Sequence, residues 1–216
     1  MQHLAKGILI TVEGIDGSGK STLVKNLAQY LKKENFPHII TKEPGGTALG
    51  INLRKILQER TIKICDKSEY LLFAADRAEH CKEIIIPSLQ EKKIIISDRS
   101  KYSSLAYQGY ARGLDPKIID TINNWAMNNI EYDLIFYVKI DTETAWKRII
   151  ERNQDLTHFE KEKKSFTEKI LNGFNEIFKN KKNVIILDGC QSIEQLTQDT
   201  INNLNNLLKY YVTNKF

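Results

Sequence analysis

The glycine-rich run from Gly14 to Ser21 constrains the fold more than any other feature of this 216-residue chain. It fits the pattern G-x-x-x-x-G-K-[ST] and stands between an apolar run, Gly7–Val12, and a stretch of helical periodicity over 20–34. The pattern needs that setting, because glycines let the backbone curl between a strand and a helix. The N–H groups of such a turn and the positive end of the helix dipole point at one spot. The sequence therefore predicts a phosphate-binding loop.

Strands and helices are predicted to alternate along the rest of the chain. The apolar runs that read as strands buried on both faces of a parallel sheet are Gly7–Val12, His38–Thr41, Ile94–Ser97, Leu134–Ile140 and Val184–Leu187. Helical periodicity covers 20–34, 47–59, 67–91, 101–130, 142–152, 160–179 and 191–211. This alternation predicts an α/β chain with one domain over residues 1–216. With the phosphate loop, the fold class is a three-layer P-loop NTPase fold, a five-stranded parallel sheet with helices on both faces.

Composition narrows the setting. Apolar residues make up 41% and charged residues 27%, which is typical of a globular protein. Glu13 interrupts the first apolar run too early for a signal peptide, and no run is long enough to span a bilayer, so we expect a cytoplasmic protein without a membrane partner. Cys65, Cys81 and Cys190 are too scattered for a disulfide framework or a zinc site and are expected to be reduced. The net charge of +5 comes from lysines interleaved with acids, which favours solvated helices over nucleic-acid binding but also suits phosphate-bearing substrates.

Two residues of the loop and one at the end of a neighbouring strand have the chemistry of a nucleoside triphosphate site. Lys20 would place its ammonium at the β- and γ-phosphates of ATP, and the Ser21 hydroxyl would ligate Mg²⁺. Asp98 ends the third predicted strand, where a carboxylate can hold Mg²⁺ through water. An aspartate at this place is also a common helix N-cap, and both interpretations remain open for Asp98 alone.

Further motifs point to the second substrate. They are E-P-G-G-T at 43–47, F-x-x-x-R at 73–77, D-R at 98–99 and S-S-x-A-Y-Q-G at 103–109. Together with the phosphate loop, and in this order from residue 8 to about residue 178, they resemble the thymidylate kinase family. The resemblance implies a kinase that moves the γ-phosphate of ATP to thymidine monophosphate with Mg²⁺, and that is a homodimer through helices around 47–60, 67–90 and 117–130.

The resemblance also implies roles for individual residues. The ATP site would comprise Gly14, Ile15, Asp16, Gly17, Ser18, Gly19, Lys20, Ser21, Thr22 and Arg148. The thymidine monophosphate site would comprise Glu43, Arg54, Phe73, Arg77, Arg99, Ser103, Ser104, Tyr107 and Gln108. Catalysis would rest on Lys20, Asp16, Arg99 and Arg152, and Mg²⁺ on Ser21 and Asp98.

Several of these residues have simpler interpretations. Phe73 and Arg77 share one helix face, so an ordinary amphipathic helix explains Phe73, although it explains Arg77 less well. Tyr107 is as compatible with packing as with contact to a sugar, and Glu43 with a turn before Pro and Gly. Ser103 and Ser104 fit a helix start as well as a pocket.

The match to the family weakens in a predicted lid over about 148–166. Arg148 and Arg152 are four residues apart and can point at one phosphate chain. His158 stands where the family's bacterial branch has a further arginine, and Gly17 stands where the other branch has one. A histidine is poorly charged at neutral pH, so Arg152 would carry most of the transition-state charge, and we expect His158→Arg to raise turnover.

Two other functions remain possible. A kinase for another monophosphate would keep the phosphate loop, and one methyl group contributes only about 1–3 kcal/mol to discrimination. A nucleotide-dependent switch would leave Arg54 and Arg99 without a purpose, and the string Asn180–Asn183 lacks the acid of a guanine-reading N-K-x-D segment.

Overall fold

The computed structural model describes residues 2–59 and 62–213. Its parallel strands are β1 (Ile8–Glu13), β2 (His38–Lys42), β3 (Ile94–Asp98), β4 (Leu134–Lys139) and β5 (Val184–Asp188). Its α-helices are α1 (Lys20–Lys33), α2 (Ala48–Glu59), α3 (Asp66–His80), α4 (Ile86–Gln90), α5 (Lys101–Ser104), α6 (Pro116–Ala126), α7 (Thr142–Glu151), α8 (Lys164–Phe178) and α9 (Ile193–Leu208). Two π-helical segments, Cys81–Ile85 and Leu105–Ala111, join α3 to α4 and follow α5.

The strand order β2-β3-β1-β4-β5 decides where ligands can bind. After β1 the chain crosses to β2 on one side of the sheet, and after β3 it crosses to β4 on the other. The connections of the neighbours β1 and β3 therefore run in opposite directions and open a crevice at their carboxyl ends. Val12 pairs with Asp98 at this edge, so the glycine loop and the end of β3 lie side by side.

Alternate strand residues build a core on each sheet face. Ile8 and Ile10 pack in a cluster with Leu27 of α1 and Leu204 of α9. Leu9 and its neighbours pack on the opposite face in a cluster that includes residues of α3, α6, α8 and both π-helical segments. Period-two alternation in β1 thus buries both faces, which confirms the predicted three-layer α/β fold. No helix within residues 2–59 and 62–213 is long and apolar enough to cross a membrane.

The predicted strands agree with the structure to within one residue at each end. The predicted helix over 101–130 is wrong as a single element: α5, a π-helical segment and α6 replace it. Gly113 has a left-handed φ of 80°, and Pro116 starts α6 with Asp115 as its N-cap. A proline lacks the N–H that would continue the preceding helix, so a new helix begins there.

The predicted helix over 67–91 is also interrupted. The π-helical segment Cys81–Ile85 separates α3 from α4, and Pro87 follows it at the start of α4. Proline cannot donate to the carbonyl four residues earlier, and a widened turn accommodates the missing bond.

Candidate active site

The glycine loop between β1 and α1 has the backbone that the motif requires. Gly14 and Gly17 adopt φ values of 149° and 80°, and Gly19 precedes α1 in the left-handed region at 94°. A Cβ on Gly14 would lie 2.6 Å from the carbonyl oxygen of Val138, and a Cβ on Gly17 would overlap the carbonyl oxygen of Ala145. These positions admit glycine alone without a shift of neighbouring backbone, so the loop stays folded against β4 and α7.

Lys20, the first residue of α1, is buried inside this loop. Its ammonium donates to the carbonyl oxygen of Ile15 at 2.7 Å. Burial and the nearby Arg99 guanidinium lower the pKa of Lys20 to about 8, while Asp16 and Asp98 act in the opposite direction. Because burial disfavours the free ammonium, the site suits an anionic ligand that would restore its charge.

The Mg²⁺ candidates meet at the crevice. The Ser21 hydroxyl donates to Oδ2 of Asp98 at 2.7 Å. Mg²⁺ prefers oxygen ligands, keeps several waters, and binds through one or two protein groups plus substrate phosphates. A hydroxyl and a carboxylate side by side next to the phosphate loop fit such an ion.

Arg99 joins the phosphate loop to the opposite side of the cavity. Its Nη2 donates to Oδ1 of Asp16 at 2.5 Å and to the Tyr107 hydroxyl at 3.2 Å. Its Nη1 donates to the carbonyl oxygen of Gly14 and to the Ser103 hydroxyl, both at 3.1 Å. Burial would raise the pKa of Asp16, but the Arg99 and Lys20 charges outweigh it and lower this pKa.

The backbone of Arg99 is unusual. It has a φ of 78°, in the left-handed region that non-glycine residues seldom adopt. Such conformations cluster at functional sites, where surrounding contacts hold them. The four hydrogen bonds of the guanidinium are contacts of that kind.

A buried ion pair forms the floor of the acceptor side. Nε of Arg77 donates to Oε2 of Glu43 at 2.9 Å, and both side chains are almost fully buried. Nδ1 of His80 lies 2.9 Å from the other Glu43 oxygen, and Nε2 lies 2.7 Å from the Thr41 hydroxyl. Glu43 therefore orients the guanidinium of Arg77, which is a more specific role than that of a turn residue.

Other acceptors hold Arg77 in place as well. Its Nη1 donates to Oδ1 of Asn123 at 2.6 Å, and its Nη2 donates to the Ser104 hydroxyl at 3.1 Å. The Nη1 of Arg54 donates to the carbonyl oxygen of Pro44 at 3.0 Å. Both guanidinium groups line the same cavity.

Aromatic side chains also line this cavity. The ring centroids of Phe73 and Phe159 are 6.1 Å apart, and those of Tyr107 and Phe159 are 5.7 Å apart. Phe159 belongs to the predicted lid, so the lid already contacts the two rings assigned to the acceptor. Tyr107 and Gln108 lie on the π-helical segment Leu105–Ala111, whose wider turn brings consecutive side chains closer to one face than an α-helix does.

The lid holds one of its two arginines against a carboxylate. Nη2 of Arg152 donates to both oxygens of Glu160, at 3.0 and 3.1 Å, and Glu160 also accepts from the Thr157 N–H at 2.8 Å. This turn delays the start of α8 to Lys164, four residues later than predicted. Arg148 lies farther out, where it donates to the carbonyl oxygen of Gly189 at 2.8 Å.

His158 is not on the cavity wall in this conformation. Its Nε2 lies 3.4 Å from Nη2 of Arg112 and 3.5 Å from Glu162. The expected gain from His158→Arg stays a prediction, and it would require the lid to turn this side chain toward the phosphates.

One cavity of about 580 Å³ brings most of the predicted site residues together. From the ATP side these are Asp16, Lys20, Ser21, Asp98 and Arg152. From the acceptor side these are Glu43, Arg54, Phe73, Arg77, Arg99, Ser103, Ser104, Tyr107 and Gln108. Of the remaining predicted residues, Arg148 and the loop members Gly14, Ile15, Gly17, Ser18, Gly19 and Thr22 are not part of its wall.

Sequence reasoning missed several residues that support the site. Asp76 accepts from the Gly45 N–H at 2.9 Å and holds the glycine turn, and Glu160 holds Arg152. Asp76 precedes Arg77 inside a quoted motif, so it was within reach of the sequence. Glu69 and Arg112, which meet behind Gln108, carry no local signal because their partners are distant in sequence.

The fold and the site together define a P-loop nucleotide kinase: a triphosphate loop and an arginine-lined acceptor pocket face each other across one cavity. A family model described as thymidylate kinase matches residues 12–200, most of the chain. The chain therefore belongs to the thymidylate kinase family.

Individual relatives cover nearly the whole chain. The thymidylate kinase of Fervidobacterium nodosum is 39% identical over 194 residues, 90% of this chain and 96% of the relative. That of Thermosipho africanus is 41% identical over 189 residues, 88% and 93% of the two chains. The crystal structure of thymidylate kinase from Ehrlichia chaffeensis superposes with a TM-score of 0.74 at 32% identity, covering 92% of this chain and 98% of that one.

Proposed function

We propose that this chain phosphorylates thymidine monophosphate to the diphosphate, with ATP as donor and Mg²⁺ as the metal, by direct in-line transfer. Membership of the thymidylate kinase family supports the reaction. The observation that carries the mechanism is the shared cavity. In it, Arg99 is hydrogen-bonded both to Asp16 of the phosphate loop and to Tyr107 on the acceptor side. Donor and acceptor phosphates that enter this cavity from its two ends meet at Arg99.

The donor end binds ATP through the loop Gly14–Thr22. The inward N–H groups of the loop and the start of α1 hold the phosphates. The ammonium of Lys20 exchanges its hydrogen bond to the Ile15 carbonyl oxygen for contacts with the β- and γ-phosphates. Arg148, next to Gly189, lies against the distal part of the nucleotide. Ser21 and Asp98 hold Mg²⁺, which neutralises phosphate charge when it is bound.

The acceptor end binds thymidine monophosphate by charge at one end and by stacking at the other. Arg54 and Arg99 take the acceptor phosphate, since a planar guanidinium matches phosphate oxygens bidentately. Phe73 stacks on the base, and Arg77 and Gln108 read its polar edge. Tyr107 packs beneath the sugar, and Ser103, Ser104 and Glu43 hold the arginines in position.

No protein group becomes covalently attached to phosphate in this mechanism. The acceptor oxygen is already an anion, so positioning and charge stabilisation are sufficient. Lys20 and Arg152 spread the charge that develops on the migrating group, and Asp16 keeps Arg99 aimed at the transfer point.

The protein works, in this proposal, as one domain with a lid over about 148–166. We place it in the cytoplasm, where its three free cysteines remain reduced. It acts as a homodimer through α2, α3 and α6, whose exposed apolar side chains include Leu49, Leu71, Ile118 and Trp125. Adjacent helices that expose large apolar groups are typical of an interaction face.

The test offers each nucleoside monophosphate in turn to the purified protein with ATP and Mg²⁺ and follows ADP release. Turnover with thymidine monophosphate, weaker use of deoxyuridine monophosphate and none with purines is the expected result. Preference for another monophosphate would overturn the acceptor assignment, and ADP release without any acceptor would indicate an ATPase. Lys20→Ala is the control: it should lower turnover by about a thousandfold or more while thymidine monophosphate still binds.

A further inference from the structure

Gln108 is held from behind by a buried carboxylate. Its Nε2 donates to Oε1 of Glu69, on α3, at 2.8 Å. Gln108 lines the cavity, whereas Glu69 is fully buried and lies outside the cavity wall. This glutamine of the cavity wall therefore has a fixed partner outside the cavity.

The chemistry of this contact determines which way round the amide lies. The two ends of a glutamine amide have nearly the same shape, but one end donates and the other accepts. An ionised carboxylate only accepts, so it selects the NH₂ end. A reversed amide would place two acceptor oxygens 2.8 Å apart at Glu69, which is unfavourable in a buried site.

Arg112 compensates the charge of this carboxylate. Its Nη2 lies 3.5 Å from Oε2 of Glu69, and its Nη1 lies 2.6 Å from Oε1 of Glu162 in the lid. The guanidinium carbon also sits 4.4 Å from the centroid of the Phe166 ring. A buried carboxylate is stable when it is paired and hydrogen-bonded, and Arg112 and Gln108 provide both interactions.

The orientation of the amide decides which pyrimidine can bind. The NH₂ group of Gln108 is turned to Glu69. The carbonyl oxygen is therefore the end of the amide that remains for a base in the cavity. Thymine and uracil carry a hydrogen on N3 and can donate to that oxygen, whereas cytosine carries a lone pair on N3 and repels it. A reversed amide would favour cytosine.

We propose that Glu69 is a positioning residue that sets base specificity by fixing the amide of Gln108, so that the pocket accepts N3–H pyrimidines and rejects cytosine. This inference rests on the proposed function, because it assumes that Gln108 reads the base of the acceptor. Glu69 itself touches neither substrate.

The test compares the wild type with Glu69→Gln, a variant of nearly the same volume whose side chain can donate or accept. Values of kcat/KM are measured for three substrates: thymidine monophosphate, deoxyuridine monophosphate and deoxycytidine monophosphate. In the variant, the preference for thymidine over cytidine monophosphate should fall at least about tenfold, with an absolute rise for the cytidine compound. The preference for thymidine over deoxyuridine monophosphate should stay unchanged, because both bases carry N3–H.

A role for Glu69 in folding alone would lower all three values together and leave their ratios unchanged, which would overturn the inference while leaving the function intact. A wild type that does not phosphorylate thymidine monophosphate would overturn the proposed function and, with it, this inference. A second measurement needs no Glu69 variant. The side-chain amide protons of Gln108 in the wild type, assigned by their loss in Gln108→Leu, should exchange slowly with water; exchange as fast as that of exposed amides would also overturn the inference.

Discussion

The ionisation of Asp76 depends on the fold around it. Its Oδ1 accepts from the Gly45 N–H, while its Oδ2 is buried without a hydrogen-bond partner in the part of the chain that the structure describes. Burial, and next the negative charge of Glu43, raise the pKa of Asp76 to about 6 from its ordinary value of 3.8. The folded protein therefore binds a proton there that the unfolded chain releases between these two values.

This difference predicts how stability changes with pH. The contribution of Asp76 is fully present below the unfolded pKa of 3.8 and is lost as the pH rises through about 6. Relative to Asp76→Asn, which does not titrate, the wild type should lose up to about 3 kcal/mol of unfolding free energy between acidic and neutral pH. Urea unfolding of both proteins at about pH 4 and about pH 7 measures this difference. If the unfolding free energies of the two proteins differ by the same amount at both pH values, Asp76 has an ordinary pKa.

Glu43 gives a second prediction, about stability rather than titration. Glu43→Gln leaves the buried Arg77 guanidinium without its negative partner, and breaking such a pair costs about 3–5 kcal/mol. The expected result is a lower urea midpoint with an unchanged slope. Glu91→Gln is the control, because Glu91 pairs with Lys93 on the surface and should cost less than about 1 kcal/mol. Equal losses in the two variants would contradict the structural part assigned to Glu43.

Individual residues differ in how far the sequence could reveal them. Ser21 and Asp98 follow from a motif and a strand end, because parallel strands bring their carboxyl ends to one edge. Arg77 was predicted to contact the thymine base. Its partners Glu43 and Asn123 could not be predicted, because they come from distant segments that only the folded chain brings together. The role of Glu69 could not be predicted for the same reason, because its partner Gln108 is 39 residues away in the sequence.

At the scale of elements, the lid depends on the contact between Arg152 and Glu160. Arg152→Ala should lower kcat by about a thousandfold, because it removes a charge that stabilises the transition state. Glu160→Gln keeps that charge but loosens its anchor, and it should lower kcat by only about tenfold. Single-turnover rates at saturating substrates measure both effects. A faster Glu160→Gln variant would show that Glu160 withholds Arg152 instead of positioning it.

Helix α8 packs on the π-helical segment Leu105–Ala111 without space for a side chain at Gly173. A Cβ there would lie 2.8 Å from Cβ and 2.9 Å from Cγ of Tyr110, atoms close to the backbone that cannot swing away. Gly173→Ala should therefore destabilise the fold by about 1–3 kcal/mol, although alanine is the better helix former. Asn172→Ala, exposed on the same helix, should change stability little. Urea unfolding distinguishes the two, and a more stable Gly173→Ala variant would contradict this packing.

The two π-helical segments show why element boundaries were harder to predict than strands. A strand is recognised by a continuous apolar run, and every strand of the sheet was found within one residue. Widened turns leave the apolar periodicity nearly intact, so 67–91 and 101–130 each read as one helix. The interruptions coincide with Pro87, Gly113 and Pro116. A proline near the start of one helix does not by itself show that the helix before it is interrupted.

For the whole molecule, strand and helix alternation was sufficient to predict the sheet and the edge that binds ligands. Connections between parallel strands are long and follow one hand, so few topologies are compatible with five such strands. The phosphate loop after β1 then fixes the donor end. The surface is different, because an exposed apolar stripe and a buried one have the same pattern in sequence. The fold is needed to show that Leu71 and Ile118 are exposed.

This exposure leads to the prediction about assembly. Leu71 of α3 and Ile118 of α6 are 54% and 58% exposed, and the two helices pack against each other. If the homodimer forms through this face, a charge introduced there must be desolvated without a partner, so Leu71→Glu and Ile118→Glu should each shift the protein from dimer to monomer. Ile150→Glu is the matched control, because Ile150 is 52% exposed on α7, outside this face. Sedimentation velocity over a range of concentrations gives the mass of each variant. Dissociation by Ile150→Glu alone would move the interface to α7, and dimers in all three variants would place it elsewhere on the molecule.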